Sequence, residues 1–309
     1  MSARGLRTNL TGGAFVMPAA SIIVVFSFVS MAVSLYVSFH NWDILIPVHP
    51  YVGLGNFREV LFGKDTVFWI ALRNTVEYVA MLVPAVLVTS FILALAARRA
   101  PFGQAFFKTA FFLPSITPVV VVSLIWMWLY SYNGPINAGL AAMLWPVNAF
   151  TGIFGAAPIR PPNWLADPST AMSAIVLMSA WQASGYYSVI FLAGLSDIPR
   201  EFYEAAEVDG AGRLRCLWHI TIPLLRNTFV FVSVMLIIGG FQVFTQVYII
   251  TRGGPAQATE VLTSAIFKRA FQSYGGLGAS CAMAWLLFAA VFVFVLIYMR
   301  LVRSRQIYD

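Results

Sequence analysis

Asp197-Ile198-Pro199-Arg200-Glu201-Phe202-Tyr203-Glu204-Ala205-Ala206-Glu207-Val208-Asp209-Gly210, running on to Pro223, carries five acids, the densest acidic cluster in the chain. Asp197 followed by Pro199 is a helix-start signal, because proline needs no N–H partner in a first turn. Phe202, Ala205 and Ala206 then fall at i, i+3 and i+4, the apolar stripe of one short helix. Gly210 and Gly212 interrupt it, glycine being free to take the backbone angles that end a helix. Leu214, Leu217 and Trp218 repeat the stripe on a second short piece, and Pro223 opens the apolar run beyond. Helices of two turns are unstable alone in water, where about 12–15 residues are needed. Both pieces must therefore dock, either on their own chain as an interfacial helix or in a soluble partner.

Outward from this segment the sequence turns apolar in both directions. Of 309 residues, 60% are hydrophobic and 10% charged, against roughly 45–50% and about 25% in a soluble domain. Too few ionic groups remain to cover a globule of this size, and the mean hydropathy of +0.81 assigns the surface to lipid. A spanning helix needs roughly 20 mostly apolar residues, and six stretches qualify: 15–39, 69–96, 105–130, 171–195, 224–250 and 279–301. The first is too long, and lacks the small-residue cleavage pattern, to be a signal peptide, so it is expected to stay as a helix.

The net charge of +7 comes from basic clusters between the apolar runs, where a membrane protein keeps its cytoplasmic anchors. Six spans put both termini on one side. That side holds Arg4, Arg7, Arg98, Arg99, Lys108, Arg200, Arg213, Arg215, Arg226, Arg300, Arg303 and Arg305. The other holds Arg58, Lys64, Arg73, Arg160, Arg252, Lys268 and Arg269, so twelve against seven places both termini in the cytoplasm. The longest outer connection, 131–170, carries Pro135, Pro146, Pro158, Pro161, Pro162 and Pro168 with Gly134, Gly152 and Gly155, punctuation that speaks against a long regular element there. Pro84, Pro114, Pro118 and Gly239-Gly240 fall inside spans, as packing kinks or as flexing points.

Glu204-Ala205-Ala206, three residues, Gly210, nine residues and Ile220-Thr221-Ile222-Pro223 together resemble the EAA loop of ABC-importer permeases, whose usual form is EAA-x3-G-x9-I-x-L-P. Ile222 stands where the pattern has Leu. Glu207-Val208-Asp209-Gly210-Ala211 resembles the wording of the carbohydrate-type branch, the family of maltose and glycerol-3-phosphate importer permeases. Weaker likenesses follow in the family's order: Asn41-Trp42-Asp43, Gly53-Leu54-Gly55-Asn56-Phe57, Arg73-Asn74-Thr75, Phe112-Leu113-Pro114 with Trp126, Gly134-Pro135-Ile136-Asn137 and Thr251-Arg252-Gly253-Gly254-Pro255.

The resemblance implies an all-α integral membrane protein, six transmembrane helices with a cytoplasmic coupling helix in loop 197–223, residues 1–309 forming one permease domain of the type I importer kind. It implies that Glu204, Ala205, Ala206, Asp209, Gly210, Ile220 and Pro223 couple the chain to an ATPase. It implies as partners a sister permease in a heterodimer, two ABC ATPase subunits that hold the ATP and Mg, and an extracytoplasmic solute-binding protein, all at a bacterial or archaeal cytoplasmic membrane. The residues agree that energy comes from elsewhere. No G-x4-G-K-[ST] stretch exists, Gly63-Lys64 lacking the earlier glycine and running into Asp65, so the chain cannot cradle ATP in the usual loop.

His40, His49 and His219 are scattered, and neither a nucleophilic triad nor a metal set can be built from them. Cys216 and Cys281 lie far apart without metal-ligand spacing. No series of acids runs through the spans as ion coupling would require, and Arg73 with Glu77 reads as an i, i+4 pair. Inside the fourth span Gln182 and Tyr186 share a face, with Trp181 and Tyr187 beside them. In the fifth, Gln242 and Gln246 share a face next to Phe244. Amides and an aromatic wall suit a neutral polyhydroxylated solute, a carbohydrate; the same groups can equally bond helix to helix. A phosphorylated polyol such as glycerol-3-phosphate, or ion-coupled secondary transport, is the alternative; nucleic acid is not expected as a partner.

Overall fold

With no water in hydrocarbon to receive backbone N–H and C=O groups, an apolar chain pairs them within helices. The computed structural model describes residues 15–43, 47–99, 104–153, 157–273 and 276–303. Among these, regular structure is helical apart from one isolated bridge between His40 and Tyr51. Arg4, Arg7, Gly155 and Arg305 lie outside the described residues.

The helices are α1 (Phe15–Ser38, with a π-stretch at Val24–Val29), α2 (Gly55–Phe62), α3 (Val67–Arg99), α4 (Gln104–Ile116), α5 (Val119–Leu129), α6 (Pro135–Ile153) and α7 (Pro168–Ser196). Then come α8 (Arg200–Val208), α9 (Arg213–Leu224, with a π-turn at Leu217–Thr221), α10 (Arg226–Phe241), α11 (Thr245–Ile250), α12 (Leu262–Phe271) and α13 (Gly276–Arg303). Four of these, α1, α3, α7 and α13, are each long and apolar enough to cross a membrane, and up to six spans result if each bent pair counts as one.

Two expected spans are broken. The third turns by 103° between α4 and α5, because Pro118 (ψ 130°) is held extended and disfavours helix at Thr117 before it. The fifth begins at Arg226 after a 64° bend from α9, so Pro223 closes α9 and does not open the span. The fifth also stops at Phe241 and resumes only at Thr245. The expectation for 131–170 fails as well: α6 runs for 19 residues there. Pro135 occupies its first position, where proline is favoured, and Ala138, Leu140, Ala141, Ala142, Met143 and Leu144 are strong helix formers. The later prolines form an extended return tied to α6, with Asn148 bonding both the N–H and C=O of Ile159 and Asn137 bonding the carbonyl of Pro162. Arg73 and Glu77 are both exposed, and no ion pair joins them.

The chain clusters into two compact units, one of residues up to Phe68 with Ile266–Phe288, the other of Trp69–Ala265 with the residues from Ala289 onward. In the first, buried Asn56 donates to the carbonyls of Ser38 and His40 at 2.7 and 2.9 Å, Trp42 stacks on His49 at 3.7 Å, and Arg269 pairs with Glu59 and Asp65. A Cβ at Gly278 would meet the His40 carbonyl and Asn56, which is why that position is glycine.

The second unit is built around α7. Asp167 caps it by accepting from the Ser169 backbone N–H at 2.9 Å and from the Ser169 hydroxyl, bonds that hold its carboxyl below the usual carboxylate range. Phe91, Phe191 and Phe229 join α3, α7 and α10, with ring centroids 4.7–5.6 Å apart. Small residues let backbones approach: a Cβ at Gly194 would lie 2.7 Å from Thr228, one at Gly240 2.9 Å from Val79, and one at Gly185 would run into the Phe111 carbonyl. We expect Gly185→Ala to cost about 1–3 kcal/mol by overpacking α4 against α7, seen as a lower melting temperature of the detergent-solubilised protein.

Candidate functional site

The acidic loop and the apolar core meet at a single construction. α8 starts after Pro199 (ψ 138°), which is its N-cap and not its first helical residue. Asp197 closes α7, its N–H donating to the Ala193 carbonyl, and does not cap α8. Glu201 lies in the first turn of α8 and complements the helix dipole. At the other end Gly210 has φ +72°, its N–H donates to the Glu207 carbonyl at 3.0 Å, and the Ala211 N–H reaches the Ala206 carbonyl at 2.8 Å. That pair of bonds is a Schellman motif with Asp209 as the C-cap. A Cβ at Gly210 would meet nothing within 4 Å, so the backbone angle alone requires glycine.

α8 has two faces. Tyr203 and Ala206 are half-buried against the chain, while Glu204, Ala205, Glu207, Val208 and Asp209 are exposed, Val208 at 89%. Phe202, Leu214 and Trp218 are at least half exposed too, so the apolar stripe of the loop is largely uncovered. Ile220 is half-buried and Pro223 exposed. Pro223 cannot bond back along the helix and crowds the preceding turn, and the widened π-turn at Leu217–Thr221 sits just ahead of it.

α3, α4, α7, α10 and the break between α10 and α11 line an open cavity of about 270 Å³. Of the residues expected to face a solute, Gln182, Tyr186, Tyr187 and Gln246 line it. Trp181, Gln242 and Phe244 are not among the lining residues. Trp181 turns away to Trp126, 5.6 Å between ring centroids, Phe244 stacks on Tyr248, and Gln242 caps α10, so the helix face expected to carry it together with Gln246 does not exist. Gln182 also donates to the Thr117 carbonyl at 3.0 Å, meeting the group exposed by the α4–α5 break.

Sequence reading missed Tyr78, Ser115, Ser179, Gly239 and Val243 in this wall. Ser179 was findable, since 179, 182, 183 and 186 fall at i, i+3, i+4 and i+7 on one face of α7. Gly239 faces open space whereas Gly240 packs against Val79, so the adjacent glycines have different reasons. No charged side chain is among the lining residues described.

The motif residues Asn74 and Thr75 clamp the loop that begins at Thr251. Asn74 donates to the carbonyls of Gln257 and Glu260 at 2.7 and 2.9 Å, and the Leu262 N–H donates to the Thr75 hydroxyl at 3.0 Å. The loop holds Arg252, Ala256 and Gln257 at positive φ, a conformation side-chain-bearing residues rarely adopt.

A helical membrane core with an uncharged cavity of apolar, amide and tyrosine side chains, and a surface helix joined to two of its walls, has the make-up of a transmembrane permease. A family model described as the binding-protein-dependent transport system inner membrane component matches residues 86–306. The chain belongs to that family; it is a multi-pass inner-membrane transport component. It is 36% identical over 294 residues to the probable ABC transporter permease protein YesP of Bacillus subtilis (strain 168), covering 94% of this chain and 90% of that one. It is 30% identical over 301 residues to the lactose transport system permease protein LacF of Rhizobium radiobacter, covering 96% of each. In fold it is similar to a chain of a bacterial ABC transporter involved in the import of the acidic polysaccharide alginate, with a TM-score of 0.79, 19% identity and 98% of both chains covered.

Two measurements check this geometry. Gly210→Val should disfavour the left-handed turn by roughly 1–2 kcal/mol and raise protease cleavage at 209–212, with Gly210→Asn milder. Gly239→Trp should fill the cavity and abolish solute flux, while Gly239→Ala, which meets open space, should retain it.

Proposed function

We propose that the chain is the translocating subunit of an ATP-driven importer for a neutral carbohydrate, worked by a separate ATPase through the loop around Glu204–Gly210. The observation that carries this reading is the position of the loop. Residues 197–223 join α7 to α10, and those helices supply Gln182, Tyr186 and Tyr187 on one wall of the cavity and Leu236 and Gly239 on another. A partner that grips the exposed face of α8 and shifts it therefore moves two walls of the solute chamber by direct chain connection. Glu204 is the ionic anchor on that face, Ala205 leaves room for close approach, Asp209 and Gly210 form the turn, and Ile220 and Pro223 pass the displacement into the 64° bend before α10.

ATP and Mg belong to the ATPase subunits, a pair of which engages this chain and a sister permease. The cavity of about 270 Å³ is open on one side, which leaves a wall for the sister permease, in a heterodimer as the sequence resemblance implies, to supply. An external binding protein delivers the solute to the face opposite the loop. Termini in the cytoplasm, as the basic residues predict, put α8 on the ATPase side. The uncharged lining supports a neutral solute over a phosphorylated polyol, and it offers no carboxylate for proton or sodium coupling. Tyrosine rings and amides suit the C–H faces and hydroxyls of a sugar.

The test is uptake in vesicles containing the permeases, the ATPase and the binding protein. We expect vanadate-sensitive accumulation of a labelled oligosaccharide, with glycerol-3-phosphate not taken up. Uptake driven by an ion gradient without ATPase would overturn the proposal. Glu204→Lys and Gly210→Pro should each lower uptake per ATP hydrolysed by about tenfold or more, a loss of 1.4 kcal/mol of coupling or greater, while membrane insertion is unchanged.

A further inference from the structure

The cavity has a third wall that the loop does not reach along the chain. Tyr78 and Leu82 of α3 line it beside α7 and α10, yet α3 is joined to neither end of loop 197–223. We propose that Arg98 and Tyr203 form the joint that ties α3 to the coupling helix, so that all three walls move together; this rests on the coupling role proposed above.

Tyr203 lies on the inward face of α8, opposite the exposed apolar face. The Arg98 guanidinium, at the end of α3, stands over its ring 5.2 Å from the centroid, and Arg98 Nη1 is 3.5 Å from its hydroxyl. A cation over an aromatic face at this range is attracted by the ring's negative face. The same hydroxyl lies 3.0 Å from Oγ1 of Thr221, a buried residue in the π-turn, whose Oγ1 also donates to the Cys216 carbonyl at 3.4 Å. One phenol thus touches the end of α3 and the turn that leads into α10, while its own backbone belongs to the helix that the partner grips.

The surroundings leave this contact to act without much support. A cleft of about 500 Å³, lined by Leu95, Glu207, Cys216 and Leu217 among others, separates the end of α3 from the loop. The Phe91–Phe191–Phe229 packing ties α3 to α7 and α10 deeper in the core, and at the cleft itself displacement of α8 reaches the end of α3 directly through the Arg98–Tyr203 contact. Both residues are positioning residues, since neither lines the solute cavity.

The experiment uses the full transporter in vesicles and reads solute taken up per ATP hydrolysed. Arg98→Ala and Tyr203→Leu should each lower that ratio about fivefold, the size of a modest cation–π contact, while the ATPase still co-purifies through the outward face. Arg98→Lys keeps the cation and should stay near wild type. Tyr203→Phe keeps the ring but loses Thr221, and should fall between. The double variant should be no worse than Tyr203→Leu alone, which already removes the shared contact together with the Thr221 bond. Should Arg98→Ala fail to assemble, Arg98→Gln, which removes the charge and keeps most of the length, carries the same test. If wild-type uptake proves independent of ATP hydrolysis, the coupling role itself falls. If wild type is coupled but the single variants keep its ratio, or their losses simply add, the joint is overturned and the loop's role stands.

Discussion

A carbonyl left bare in hydrocarbon costs several kcal/mol, so a helix inside a membrane can break only where something else meets the exposed group. The broken segments of this chain obey that constraint. At the α4–α5 turn, Gln182 donates to the Thr117 carbonyl. After α10, the Thr263 hydroxyl donates to the Val243 carbonyl. In the loop after α11, Asn74 takes two carbonyls at once. Broken backbone and polar side chains are therefore one feature, and the cavity lies where two of the breaks converge on α7. Gln182 shows that the two readings of an intramembrane amide do not exclude each other: its amide nitrogen holds the neighbouring backbone while the residue lines the chamber.

The loop proposed to couple the chain to an ATPase follows a complementary logic. Its backbone is fully determined, with a Schellman turn at Gly210, a π-turn before Pro223 and a sharp bend into α10. Its outer surface is left apolar and uncovered. A lever needs both: stiffness, so that displacement is transmitted and not absorbed, and an open face for whatever pushes it. The hollow behind it is bridged by Arg98 and Tyr203.

Much of this was legible in the sequence because the signals were local. The apolar runs, the short helix at 200–208 and the glycine that ends it all rest on neighbours within one or two turns. What misled were features whose outcome depends on distant partners. Pro118 announced a kink, but a break of 103° leaves the Thr117 carbonyl bare, and the group that meets it is Gln182, which donates to it from another helix. The proline-rich stretch 131–170 was read as irregular, yet only its later part is, an extended return that Asn137 and Asn148 hold against α6. Gln242 and Gln246 looked like one face only so long as the helix was assumed continuous. The Asn74-Thr75 pair and the loop after Thr251 were separate weak likenesses in sequence and are a single clamp in space. Arg98 carried no signal beyond its charge, since its meaning lies in a ring more than a hundred positions away.

Gly239 and Gly240 sit side by side with opposite surroundings, one facing the chamber and the other pressed on Val79. Natural selection therefore has an adjustable position directly next to a fixed one. On the proposed solute path a methyl group added at the first would narrow the chamber without touching the scaffold, whereas one at the second would press on Val79. Under the proposed function, preference for cargo size can then change by a single step at Gly239 while the packing at Gly240 stays as it is.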